Sequence, residues 1–202
     1  MALSDRWPLP DCPDLGDELA AAYADPSRGY HDTRHLTEVL DRLDELADAG
    51  VGYDPTPVLL AAWFHDAVYD GERDAEERSA TWAEDALAAV LPAPVVGEVA
   101  RLVRLTETHQ PADDDLNGCA LSDADLGILA APRDRYDEYV AAVRREYAHL
   151  PDEVFDAGRA DVLKGLAAKP HLFHTAYARD RWEAAARANL ERELAVLDSS
   201  AV

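Results

Sequence analysis

At 202 residues and 22.1 kDa the chain is long enough to bury a sizeable core, and we read 1–202 as one domain. With 48% hydrophobic and 30% charged residues it has the balance of a soluble globular protein, and no apolar run approaches the roughly 20 residues that cross a bilayer. A formal net charge of −22, from 41 acids against 19 bases, argues against duplex nucleic acid as a partner, because that requires a basic footprint.

The start, Met1 to Pro13, is acidic and proline-rich and lacks the basic opening and apolar centre of a signal peptide. Cys12 and Cys119 stand far apart in no metal-like spacing, so reduced thiols and a cytoplasmic location are expected. From Asp14 to Ala24, the spacing of Leu15, Leu19, Ala22 and Tyr23 predicts a short amphipathic helix, and residues 1–27 form an N-terminal helix and loop. Pro26, Ser27 and Gly29 interrupt it. A stronger stripe follows in Leu36, Val39, Leu40, Leu43, Leu46 and Ala47, stopped at Gly50. His31 and His35 share a face of that helix if its first turn reaches back to His31. His35 adjoins the first leucine and so points inward or to the lip of a pocket.

Thr56-Pro57 predicts a helix start, a capping hydroxyl before a proline that needs no amide hydrogen. The helix from Val58 is apolar nearly all round, as befits the centre of a bundle, and it closes on Trp63-Phe64-His65-Asp66. Burying His65 and Asp66 without partners would cost several kcal/mol, roughly, so partners are required. Tyr69, Asp70 and Gly71 form a loop. Asp74 to Leu91 resumes a helix that Pro92 and Pro94 end.

From Val95 to His109, the stripe of Val99, Leu102, Val103 and Thr106 has His109 as its next position. Beyond the exposed run Asp113-Asp114-Asp115, Leu121, Asp125, Ile128 and Leu129 share one helical face. Asp125 therefore interrupts an apolar stripe and is expected as the buried carboxylate, while Asp123 lies off it as a cap or supporting group. Residues 28–130 thus hold the candidate site, and three helical patterns fill 131–198. The first carries Tyr136, Tyr139, Val140, Val143 and Tyr147, facing either a core or a partner. The second begins at Pro151 with Val154, Phe155, Val162, Leu163 and Leu166. The last runs from about Arg179 with Trp182, Ala186, Leu190, Leu194 and Leu197. No segment alternates, so the expected fold class is all-α, a compact helical bundle.

His35, His65, Asp66 and Asp125 together offer two imidazoles and two carboxylates, a mixed set that suits a divalent first-row metal. In this order the four resemble the HD superfamily of metal-dependent phosphohydrolases, whose pattern is a histidine, a contiguous His-Asp pair and a later aspartate on a helical core. The flanks resemble a bacterial subgroup of HD-domain proteins. They include Arg28, Tyr30 and His31, Tyr69-Asp70 with Glu76, Ser79 and Ala80, then Arg144 with Glu146-Tyr147, and Glu183 to Asn189. The resemblance covers most of residues 28–197. It implies an HD-type bundle and a divalent ion (Mn, Mg, Co, Fe, Ni or Zn) at His35, His65, Asp66 and Asp125. It further implies a small phosphorylated, nucleotide-like substrate, with Asp66 orienting the nucleophile.

Other candidates have an ordinary structural reading beside the functional one. Arg28 and Arg34 are candidates to clamp a phosphate, against a plain surface role. His31 is a candidate to contact substrate or fix a ligand's tautomer, and His109 to bind substrate or a second ion, against hydrogen-bonded lining histidines. Glu76 is a candidate general acid, against a glutamate that merely favours the helix dipole. His149, His171 and His174 show no ligand spacing and read as structural. Two rival functions stand beside hydrolysis: a nucleotide-holding sensor of HD fold without turnover, and a di-iron HD-type oxygenase that would need further ligands such as His109.

Overall fold

A computed structural model describes residues 3–200, and their regular structure is helical throughout. In chain order the helices are α1 (Pro13–Tyr23), α2 (Thr33–Asp48), α3 (Pro55–Phe64), α4 (Ala75–Leu87) and α5 (Ala93–Leu105). There follow α6 (Leu116–Asp125), α7 (Arg133–Glu146), α8 (Asp152–Ala167), α9 (Ala176–Arg181) and α10 (Glu183–Ser200). Short 3-10 turns occupy Leu3–Arg6 and Leu126–Ala130. No described helix is long and apolar enough to cross a membrane.

The bundle is built round α3. Its side chains from Leu60 to Phe64 are all fully buried, because no face of this helix is polar enough to meet water. α2, α4, α5 and α6 pack around it, and α10 covers the far end against α8 and the second 3-10 turn. The helix opens two residues before the predicted Thr56-Pro57 signal. Asp54 caps it by accepting from the Thr56 N–H at 3.2 Å, and Pro55 takes the first position. The chemistry of the start is the expected one, but a carboxylate supplies it.

α2 buries its leucine stripe as predicted, with Asp32 accepting from the N–H groups of Arg34 and His35. That cap excludes His31 from the helix. It lies in the loop before the cap, not on the first turn.

Other boundaries differ for local reasons. α4 stops at Leu87 instead of Leu91, and Val90 is exposed; the segment unwinds ahead of Pro92, which disfavours helical geometry in the residue before it. α5 ends at Leu105, so His109 sits in a turn with φ of 49°. The last pattern is two helices broken at Trp182. In α8, Phe155 and Leu163 are buried while Val154 and Val162 are more than half exposed, because only a narrow seam meets α10. Tyr136 and Tyr139 face the core, where the Tyr136 hydroxyl donates to Glu193 at 2.5 Å.

Candidate metal centre

α2 carries His35 inward on its first turn, α3 ends at His65 and Asp66, and α6 ends at Asp125. Their side chains meet. The two Nε2 atoms stand 3.0 Å apart, and Asp66 Oδ2 lies 3.2 Å from His35 and 3.1 Å from His65. Asp125 Oδ1 is 3.2 Å and 3.5 Å from the same nitrogens. His35, His65 and Asp66 alone offer ligand atoms all within 4.8 Å of one another, a buried cluster that could hold a metal ion. Donors sharing one ion at about 2.1 Å stand roughly 3.0–3.4 Å apart, so the spacing fits a divalent cation without rearranging the helices.

The end of α3 sets the direction of His65. The Asp66 N–H donates to the Tyr23 hydroxyl at 3.2 Å instead of continuing the helix, which leaves the Ala62 carbonyl open. His65 Nδ1 fills that vacancy at 2.8 Å. A carbonyl only accepts, so Nδ1 carries its hydrogen and Nε2 faces the cluster. Arg28 braces the same corner. Its Nη1 donates to the carbonyls of His31 and Asp66, and its Nη2 to that of Ala67, all at 2.7–2.8 Å. Three of its donors thus hold main chain where a phosphate clamp was expected.

Electrostatics follow from this crowding. Burial by itself would lower both histidines, but the carboxylates of Asp66 and Asp125 outweigh it. His35 titrates above its usual range and His65 well above it. Burial would raise Asp66 and Asp125, yet the imidazoles hold Asp66 well below, and Asp125 below, the usual carboxylate range. His109 goes the other way, lowered by burial despite Asp125 beside it.

Around this set stand the remaining candidates. His31 stacks on Tyr69 at 4.1 Å between ring centroids and lies edge-on to His35 at 5.4 Å. Its Nδ1 is 2.7 Å from Glu146 Oε2. His109 Nε2 is 3.5 Å from Asp125 Oδ2, and its Nδ1 is buried without a partner among the described residues. Arg34 pairs with Glu38 and Glu138 on the surface, away from the set. Glu76 sits half-buried in the first turn of α4, with no hydrogen bond or ion pair joining it to the cluster among the described residues.

Asp123 is more deeply buried than Asp125, at 0% exposure, so burial does not separate the two as the helical wheel suggested. α6 ends at Asp125 and tightens into a 3-10 turn, which rotates the face on which Asp125 was placed. Asp123 is a supporting carboxylate. It accepts the N–H groups of His174 at 2.6 Å and Thr175 at 2.8 Å, fixing the loop before α9.

Comparison with protein-family models, curated proteins and solved structures finds no match. The chemistry is therefore read from the geometry of the site.

Sequence reasoning gave no role at the site to three residues that the fold brings here. Tyr23 comes from α1, Glu146 from the end of α7 and Lys169 from the loop after α8, all outside 28–130. Gly29 admits Glu146. A Cβ there would fall 2.3 Å from the Ala142 carbonyl and 2.8 Å from the Glu146 nitrogen, so only glycine lets α7 approach. Beside the set, between α2, α6 and α7, lies a cavity of about 250 Å³ touching Tyr30, His35, Asp125, Ile128 and Arg135. The Tyr30 hydroxyl, on that wall, is buried and unpartnered among the described residues.

Proposed function

We propose that the protein is a metal-dependent phosphohydrolase of the HD type, acting on a phosphate ester, phosphodiester or nucleotide. One observation carries the reading: ligand side chains from three separate helices converge, with His35, His65 and Asp66 mutually within reach of one ion and Asp125 Oδ1 3.2 Å and 3.5 Å from the two imidazoles. His35, His65, Asp66 and Asp125 would hold one divalent ion, with Mn, Mg, Co, Fe, Ni and Zn all compatible with the donor set. A bound ion supplies Lewis-acid activation of water and neutralises charge on the phosphoryl oxygens.

The chain's own groups then have distinct tasks. Asp66 presents Oδ2 to the imidazoles, and its other oxygen orients the attacking water by accepting a hydrogen. The Ala62 carbonyl and Tyr23 keep His65 in the tautomer that a ligand needs. Glu146 takes the Nδ1 side of His31, leaving Nε2 to meet a substrate oxygen or its proton. Arg28 keeps the corner rigid so that these distances persist. The largely apolar cavity beside His35 and Asp125 receives the rest of the substrate.

The test is purification with Mn²⁺, Co²⁺ or Mg²⁺, elemental analysis, and a screen of phosphomonoesters, phosphodiesters and nucleotides for released phosphate. Asp66→Ala and His65→Ala should lose both metal and activity. If Asp66→Ala retains full metal content and full turnover, the reading is wrong.

A further inference from the structure

An anionic substrate approaching a chain of net charge −22 needs a local cation with donors to offer. The arginines nearest the centre are each already engaged. Arg28 is bonded to three carbonyls, Arg34 to Glu38 and Glu138, and Arg135 to both oxygens of Glu38. Arg42 is paired with Glu45 and lies over the Trp182 ring.

Lys169 differs. Its ammonium has no carboxylate partner among the described residues, and its one hydrogen bond, to the His109 carbonyl, is long at 3.4 Å. Of three N–H donors, two are therefore uncommitted. The side chain is partly buried, which lowers its affinity for the proton, and its charge is felt by the His109 ring. That ring in turn stands 3.5 Å from Asp125, so His109, held at its carbonyl by Lys169, links the lysine to the ligand set. The backbone under Lys169 is fixed. Arg187 holds its carbonyl at 2.9 Å, Glu183 accepts from the N–H groups of Leu172 and Phe173, and Asp123 accepts from those of His174 and Thr175. A second feature points the same way. His109 Nδ1 is buried without a partner among the described residues, and with the ring hydrogen on that nitrogen it would donate to an oxyanion seated between Lys169 and the centre.

Resting on the phosphohydrolase reading above, we propose that Lys169 recognises the substrate's phosphoryl oxygens at the rim of the site, with His109 Nδ1 as its companion. Lys169 binds and orients the group; it takes no part in bond making. Its rigid platform makes the ammonium a preset point charge for a tetrahedral oxyanion.

The experiment is calorimetric titration of inorganic phosphate into the full chain loaded with Mg²⁺ or Mn²⁺ at low ionic strength. Wild type is compared with Lys169→Met and Lys169→Arg, with metal content and thermal midpoint measured on each. Lys169→Met should weaken phosphate by roughly tenfold or more at unchanged metal content, and Lys169→Arg should restore most of the loss. Phosphate affinity unchanged in Lys169→Met overturns the inference, and a lowered thermal midpoint with that result marks the lysine as a strap on His109. Metal-loaded wild type that neither binds phosphate nor releases it from any ester overturns the phosphohydrolase reading itself, and this inference falls with it.

Discussion

Glu146 closes the end of α7 onto His31. Its Oε2 stands 2.7 Å from Nδ1, and its Oε1 accepts the N–H groups of Gly29, Tyr30 and His31 at 3.1 Å each. Burial would raise this carboxyl, but the imidazole and the amides outweigh it and hold it below the usual range. Glu146→Gln keeps an oxygen for the amides but presents an NH₂ to Nδ1, forcing the other tautomer of His31. We expect turnover to fall by roughly ten- to a hundredfold with metal content retained. A variant with wild-type turnover and an unchanged pH profile would show that His31 takes no part.

Gly29→Ala tests the same junction from the main chain. The new methyl would press on the Ala142 carbonyl and the Glu146 backbone, neither of which can swing aside. The expected cost is about 1–3 kcal/mol of stability, with an activity loss resembling that of Glu146→Gln. Chemical denaturation curves measure the first and phosphate release the second.

Arg28→Lys asks whether the corner at Asp66 needs a planar fork. A single ammonium cannot serve the carbonyls of His31, Asp66 and Ala67 with the same geometry. Weaker metal binding is expected, with a stability loss of about 1.5–3 kcal/mol for each carbonyl released. Equal metal affinity in the variant would reduce Arg28 to a surface residue.

Without metal, the ligand set is held by imidazolium and carboxylate. A raised histidine value means that the folded state binds the proton more tightly than the unfolded chain. The contribution of His65 is therefore complete below about pH 6.5 and is lost as pH rises through its folded value. The depressed Asp66 contributes above about pH 3.8 and loses that contribution as pH falls. The cluster should thus stabilise the metal-free protein most between about pH 4 and 6.5. Metal affinity runs opposite on the alkaline limb, rising with pH as the protons leave. Thermal midpoints against pH in EDTA, for wild type and His65→Ala, should differ on that limb. Identical slopes would refute the ion-pair account.

Ligand addition gives the simplest stability test. A site that binds only in the folded chain adds about 2.7 kcal/mol at a hundredfold excess over Kd. The thermal midpoint should rise with Mn²⁺ in wild type and stay level in Asp66→Ala.

The helical class was legible because α3 is apolar all round and α2 carries an unbroken leucine stripe; both patterns are local. The placing of His35 and the His65-Asp66 pair followed from those two helices. The deep burial of Asp123 was not legible because α6 changes pitch where it ends, and a helical wheel assumes constant pitch. Val154 and Val162 were placed inward, although one residue along a helix turns a side chain by about 100°. The contacts of Glu146 with His31 and Lys169 with His109 span 115 and 60 positions, and no periodicity within a segment reports such a meeting.

At the end of α3 the ring of His65 does the work that the next amide would have done, because Tyr23 has drawn that amide away. Helix termination and ligand aiming are consequently one event. Any change that lets α3 wind a further turn would return the Ala62 carbonyl to its amide and set the imidazole loose. Redesign of this corner for a longer or straighter helix would therefore blunt the centre even with every donor residue still in place.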